Sequence, residues 1–203
     1  MTMTIIFLEI FIAAILPGLF WYYRIIKFKH RWKVFAAVFI FTALCAVFEH
    51  IPIGELGLNT NNLTKSVLAY ALFTALGVVC IFILAKITGK KLDLGRANTA
   101  GVVFLKSLSQ EFVYRSFLLL KLTYIFNSVL LVIFLNSVLF VLPHFVYKDG
   151  WWGLIISFVA GAAFATMYIY FPNLILISLS HFVLLFTVSS FGIFKEELEL
   201  RNV

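Results

Sequence analysis

The stretch SVLAYALFTALGVVCIFILA, Ser66–Ala85, carries no charged side chain over its whole length. Its apolar residues run continuously instead of alternating, which is the pattern of a buried or lipid-facing helix and not of a half-buried strand. About 20 such residues cross a hydrocarbon core at 1.5 Å per residue. The rest of the chain repeats the theme. It is 63% hydrophobic and 12% charged over 203 residues, with 24 Phe and 8 Tyr, and its mean hydropathy is +1.06. A soluble domain needs a charged exterior that this composition cannot supply. In lipid, backbone polar groups must be satisfied within the fold, which leaves helices or a closed barrel.

Working outward from Ser66–Ala85, seven spans are predicted. The first three run from about Thr4 to Tyr23, Val34 to Ile53 and Ser66 to Ala85. The later four run Asn98 to Lys121, Asn127 to Tyr147, Trp151 to Phe171 and Leu174 to Phe194. The expected class is therefore all-α, a polytopic membrane helical bundle. With no long linker or internal repeat, 1–203 reads as one domain: spans one to three in 1–97, the later spans in 98–194, and a tail in 195–203. The N-terminal MTMTIIFLEIF lacks a basic leader and a small-residue cleavage site, so it is expected to be the first span, not a cleaved signal peptide.

The net charge of +7 collects at helix ends, which disfavours a nucleic-acid partner. Arg24, Lys27, Lys29, Arg31 and Lys33 fill the first connection, Lys86, Lys90, Lys91 and Arg96 the third, Lys148 the fifth, and Lys195 and Arg201 the tail. The intervening connections hold only Lys65 and Lys121. By the positive-inside rule the N-terminus lies outside and the C-terminus in the cytoplasm. Trp21, Tyr22, Tyr23, Trp32, Trp151 and Trp152 sit where interfacial aromatics anchor helices. Gly153, Ala160, Gly161, Ala162 and Ala163 make the sixth span approachable by a neighbour. The Phe171-Pro172-Asn173 turn forces the sixth and seventh spans to be antiparallel. Cys45 and Cys80 have no metal-type spacing and read as buried small hydrophobes.

Ionisable side chains inside hydrocarbon cost about 2.5–3.5 kcal/mol each even on insertion scales, so they face the bundle interior and mark function by default. Here they are Glu9, Lys106, Glu111, Arg115, His144 and His181, with Gln110 as an uncharged companion. Glu111 and Arg115 share a helix face at i,i+4 and can pair, which would equally serve only to pin the helix. Gln110 points about 100° away around that helix. His144 and His181, on different spans, are candidates for one shared site. Glu9 suits an interior partner for some cation, and Lys106 can snorkel to the basic side.

The order of these residues resembles the CPBP family of intramembrane peptidases, which includes CAAX prenyl endopeptidases and bacteriocin-processing or immunity (Abi) proteins. The family carries EExxxR, FxxxH and HxxxN or HxxxD on successive helices. Gln110-Glu111-Phe112-Val113-Tyr114-Arg115 resembles the first motif, and Phe140-Val141-Leu142-Pro143-His144 the second. His181-Phe182-Val183-Leu184-Leu185 matches only the histidine of the third. The resemblance covers roughly residues 100–190. It implies a glutamic-type endopeptidase of a bacterial cytoplasmic membrane that needs no metal or cofactor and acts on membrane-associated or lipidated peptides. The implied catalytic positions are Gln110, Glu111, His144 and His181, supported by Arg115 and Phe140, with the site opening toward the cytoplasmic half. A carboxylate in a dry pocket becomes a better base near neutrality. Two positions depart from the pattern: Gln110 stands where the base glutamate is expected, and Leu185 where Asn or Asp is expected. A non-catalytic scaffold, partner-binding or immunity protein is the alternative implied by those departures. A small transporter would need a polar path through the whole bilayer, whereas the polar residues concentrate on the later spans.

Overall fold

The computed structural model describes residues 2–23, 25, 31–60, 63–93, 100–146 and 150–193. The described residues are helical with connecting turns, and no strand occurs among them. Helix α1 joins Met3–Ile10, a π-helical Phe11–Ile15 and Leu16–Tyr22. Helices α2 and α3 are Arg31–Phe48 and Leu63–Ile87. Helix α4 joins Ala100–Glu111, a π-helical Phe112–Leu119 and Leu120–Ile125. Helix α5 runs Val129–Val141 and tightens into the 3₁₀ turn Leu142–Val146. Helices α6 and α7 are Gly150–Tyr170 and Leu174–Phe191.

Among the described residues four stretches are long and apolar enough to cross a membrane: Met3–Phe20, Leu63–Ile87, Trp151–Tyr170 and Leu174–Phe191. Lys33–Phe48 and Val129–His144 are apolar but shorter. The polar load of α4 keeps it out of that set. Arg24, Lys27, Lys29, Arg96, Lys148, Lys195 and Arg201, on which the expected orientation leans, lie outside the described residues, as do Asn98, Tyr147, Phe194 and the tail.

The core gathers around α4. Phe117 and Leu118 are fully enclosed, with Val132 from α5, Ala165 from α6 and Ile177 from α7. Helix α3 is the opposite: Leu68, Leu72, Leu76, Val79 and Phe82 all face outward. This corrects the reading of Cys80, which is exposed on α3, while Cys45 is half-buried. An apolar sequence does not separate a lipid-facing position from a protein-facing one, because both solvents are apolar.

Short connections alternate the direction of α4 through α7. Asn173 caps α7, its Oδ1 accepting from the Leu176 amide at 3.0 Å. Despite the short turn from α6, α7 packs chiefly on α3 and α4, and α6 on α5. Gly77 lets α3 approach α7: a Cβ there would stand 2.6 Å from Leu184 Cδ2. The connection after α2 folds back over the helix ends. Its Gly57 has φ +75 and offers its carbonyl to the Leu174 amide at 2.9 Å. Any side chain there would run into Tyr168.

Candidate active site

The site begins with α4. Ala100–Glu111 is regular α-helix, and the wider π-helical turns start at Phe112. Such segments are rare and recur at functional positions. Glu111 and Arg115 are both fully buried. Glu111 Oε1 lies 2.6 Å from His181 Nδ1 on α7. Its other oxygen, Oε2, is 3.4 Å from Arg115 Nε, an ion-pair contact without hydrogen-bond alignment. The shorter contact therefore crosses between helices, and the pairing with Arg115 expected from i,i+4 spacing is the looser one.

Arg115 turns its fork toward α5. Nη1 donates to Asn136 Oδ1 at 2.5 Å, and Asn136 Nδ2 donates to the Tyr114 carbonyl at 2.7 Å. Asn136 is thus a fully buried bridge between α4 and α5. Sequence reasoning passed over it. The signal was its spacing, for Asn136, Phe140 and His144 recur every fourth residue on one face of α5.

Phe140 is the hub. The Arg115 guanidinium carbon stands 4.7 Å from its ring centroid, a distance at which a cation is attracted to the ring face. Tyr114 meets it edge-on at 5.2 Å. His144 is 5.4 Å and His181 6.2 Å from it, centroid to centroid. Both histidines, from different helices, come to one aromatic ring. The close packing needs a small residue on α6: a Cβ at Gly161 would lie 3.1 Å from Phe140 Cδ1. Phe164 of α6 covers the His181 ring at 5.0 Å.

Pro143 and the 3₁₀ turn explain the setting of His144. A 3₁₀ turn directs each amide to the third residue back, which leaves the Phe140 carbonyl for another donor. His144 Nδ1 takes that place at 3.2 Å. Gln110 is buried next to this group, yet no hydrogen bond or ring contact joins it to Glu111, His144 or His181 among the described residues. Leu185 is partly buried on α7. Among the described residues no group of three His, Cys, Asp or Glu side chains could hold a metal ion.

The arrangement can orient an imidazole, hold a buried carboxylate and keep water scarce. Residues 95–187 match the family described as type II CAAX prenyl endopeptidase, Rce1-like. Over that stretch the match supports the resemblance to the CPBP/CAAX protease family. The matched region takes in Glu111, Arg115, Phe140, His144 and His181. It stops short of α1 to α3. Searches of curated proteins and of solved structures gave no significant match.

A second buried ionic group lies further along α4. Lys121, fully enclosed, reaches Glu9 Oε2 of α1 at 2.8 Å and also pairs with Glu49 beyond the end of α2. Its ammonium is 4.9 Å from the Phe117 ring centroid. The interior cation expected for Glu9 is therefore Lys121, which sequence position alone had left at a helix end.

Proposed function

We propose that the chain is a membrane endopeptidase whose water-activating pair is Glu111 and His181, acting on membrane-associated or lipidated peptides that enter between α4, α5 and α7. The observation that carries this reading is the 2.6 Å contact from Glu111 Oε1 to His181 Nδ1. A carboxylate at Nδ1 holds the proton there and leaves the Nε2 lone pair as acceptor. Nε2 then takes a proton from water while the water oxygen bonds to the scissile carbonyl carbon and the carbonyl electrons move to oxygen. The imidazolium formed is stabilised by Glu111, and its proton passes to the leaving nitrogen as the C–N bond breaks. Arg115, oriented by Asn136, offsets the charge of the carboxylate across 3.4 Å, and Phe140 with Phe164 restricts the motion of the ring. In this scheme Gln110 contributes a hydrogen-bonding amide and no base.

The second reading is a non-catalytic relative that binds such peptides, and Gln110 with Leu185 is what favours it. One experiment separates the two. The protein is reconstituted in liposomes with a farnesylated CAAX-type peptide, and cleavage products are followed by mass spectrometry. Cleavage by the natural sequence, lost in His181→Ala and reduced at least about 100-fold in Glu111→Gln, is the expected result. Cleavage only after Gln110→Glu would sink the Glu111–His181 scheme and support the binding reading.

A further inference from the structure

Hydroxyls inside these helices mostly satisfy themselves by bonding the carbonyl one turn back. Thr42 bonds the Val38 carbonyl at 3.0 Å, Ser137 that of Ile133 at 2.6 Å, Thr166 that of Ala162 at 2.8 Å and Ser190 that of Phe186 at 2.9 Å. Two buried serines do not. Ser107 on α4 is 0% exposed and Ser178 on α7 is 1% exposed, and among the described residues neither hydroxyl oxygen has a hydrogen-bond partner. A buried polar group left unpaired is costly, so an orphan hydroxyl beside an active site points to a ligand.

The position of Ser107 is well bracketed. It lies four residues before Glu111 in regular α-helix, so both side chains leave the same face. Glu111 meets His181 across the seam, and Phe104 meets Phe182 at 5.7 Å. Ser107 lies between those two contacts. Because α4 and α7 run antiparallel, four residues back from Glu111 is the same direction as four residues on from His181. That second position is Leu185, where the site has no polar group. Ser178 lies on the other side of the Glu111–His181 contact, one turn before His181.

We propose that Ser107 supplies from α4 the polar group that α7 lacks at Leu185, its hydroxyl donating to the oxygen that develops charge when a peptide carbonyl is attacked. This rests on the endopeptidase reading of the site. A donor aimed at a developing oxyanion in a dry site strengthens as charge forms and matters little to the ground state. The signature is therefore a difference between two ligands of one shape. The probes are a farnesylated CAAX-type peptide and its trifluoromethyl-ketone analogue, whose hydrate presents tetrahedral oxygens. Binding is measured on the full chain in detergent micelles. Ser107→Ala is expected to weaken the ketone by about 100-fold while leaving the parent peptide within about twofold. Adding Leu185→Asn to Ser107→Ala is expected to restore most of the loss. Equal weakening of both probes, or no change in either, overturns the role of Ser107 alone. Failure of the natural sequence to bind either probe overturns the endopeptidase reading itself.

Discussion

Helix α4 carries two buried ionic groups, and they are built for different ends. At its middle, Glu111 and Arg115 look toward α5 and α7, where their partners are an imidazole, an amide and an aromatic ring. Six residues further on, Lys121 looks toward α1 and α2, where its partners are two carboxylates. Among the described residues both groups leave buried carboxylate oxygens without a hydrogen-bond partner, Glu111 Oε2 in the first and Glu9 Oε2 and Glu49 Oε1 in the second. The first differs in holding an imidazole against its carboxylate, the second in closing a lysine completely between two carboxylates. An imidazole can gain and lose a proton near neutrality and so suits chemistry. A lysine enclosed by carboxylates suits a clasp between helices. The π-helical Phe112–Leu119 lies between Glu111 and Lys121, so that one face of α4 can serve the site while the next holds the N-terminal helices.

That contrast is most exposed at Lys121. Lys121→Met leaves Glu9 and Glu49 close together without their cation, and breaking a buried pair in this way costs about 3–5 kcal/mol. Unfolding in mixed micelles monitored by tryptophan fluorescence should register that loss. Replacing Glu9 and Glu49 by Gln in the same protein should recover most of it. If Lys121→Met unfolds no more readily than the natural sequence, the clasp is not structural. Next in size is Arg115→Met, expected to cost roughly 2–4 kcal/mol, since Glu111 and Asn136 both lose a buried partner.

Glu111→Gln tests the other half of the comparison. The amide can still face His181, so stability should change by about 1 kcal/mol or less while peptide cleavage falls steeply. A large stability loss would make the two groups alike and remove the distinction. Gly161→Ala should cost less cleavage than Glu111→Gln. Its methyl would press on Phe140, and overpacking of this kind costs about 1–2 kcal/mol. The displaced ring should also perturb the NMR resonances of His144 and His181, which both rest on it. The smallest effect is expected from Tyr70→Phe, which removes one hydrogen bond to the Phe171 carbonyl, worth about 1 kcal/mol. The bond ties α3 to the turn after α6; the charges of Glu111 and Arg115 reach Tyr70 but it bonds to neither, and cleavage should stay within about twofold.

Much of this architecture was legible in the chain itself. Continuous apolar stretches predicted helices, and every one of those seven stretches contains helix among the described residues. The motif residues were legible too, because charged and imidazole side chains stand out against so apolar a background. Ser107, four residues before Glu111 and Arg115, and Asn136, four before Phe140 and His144, extend those stripes and were present but unread. Serine and asparagine cost little in a helix and so raise no alarm in a sequence.

What composition and periodicity determined is that the chain is helical and suited to lipid, because continuous apolar runs, unlike the alternating runs of a barrel, satisfy their backbone there as helices. Those patterns act within single helices, and spacing along one helix reaches no further than its own face. Which helices meet is a tertiary matter. The packing alone decided that Glu111 turns to His181 instead of closing fully on Arg115, and that His144 and His181 share Phe140. It also decided that Lys121 joins Glu9, since side chains from α1, α4, α5 and α7 touch only where close-packed helices bring them together.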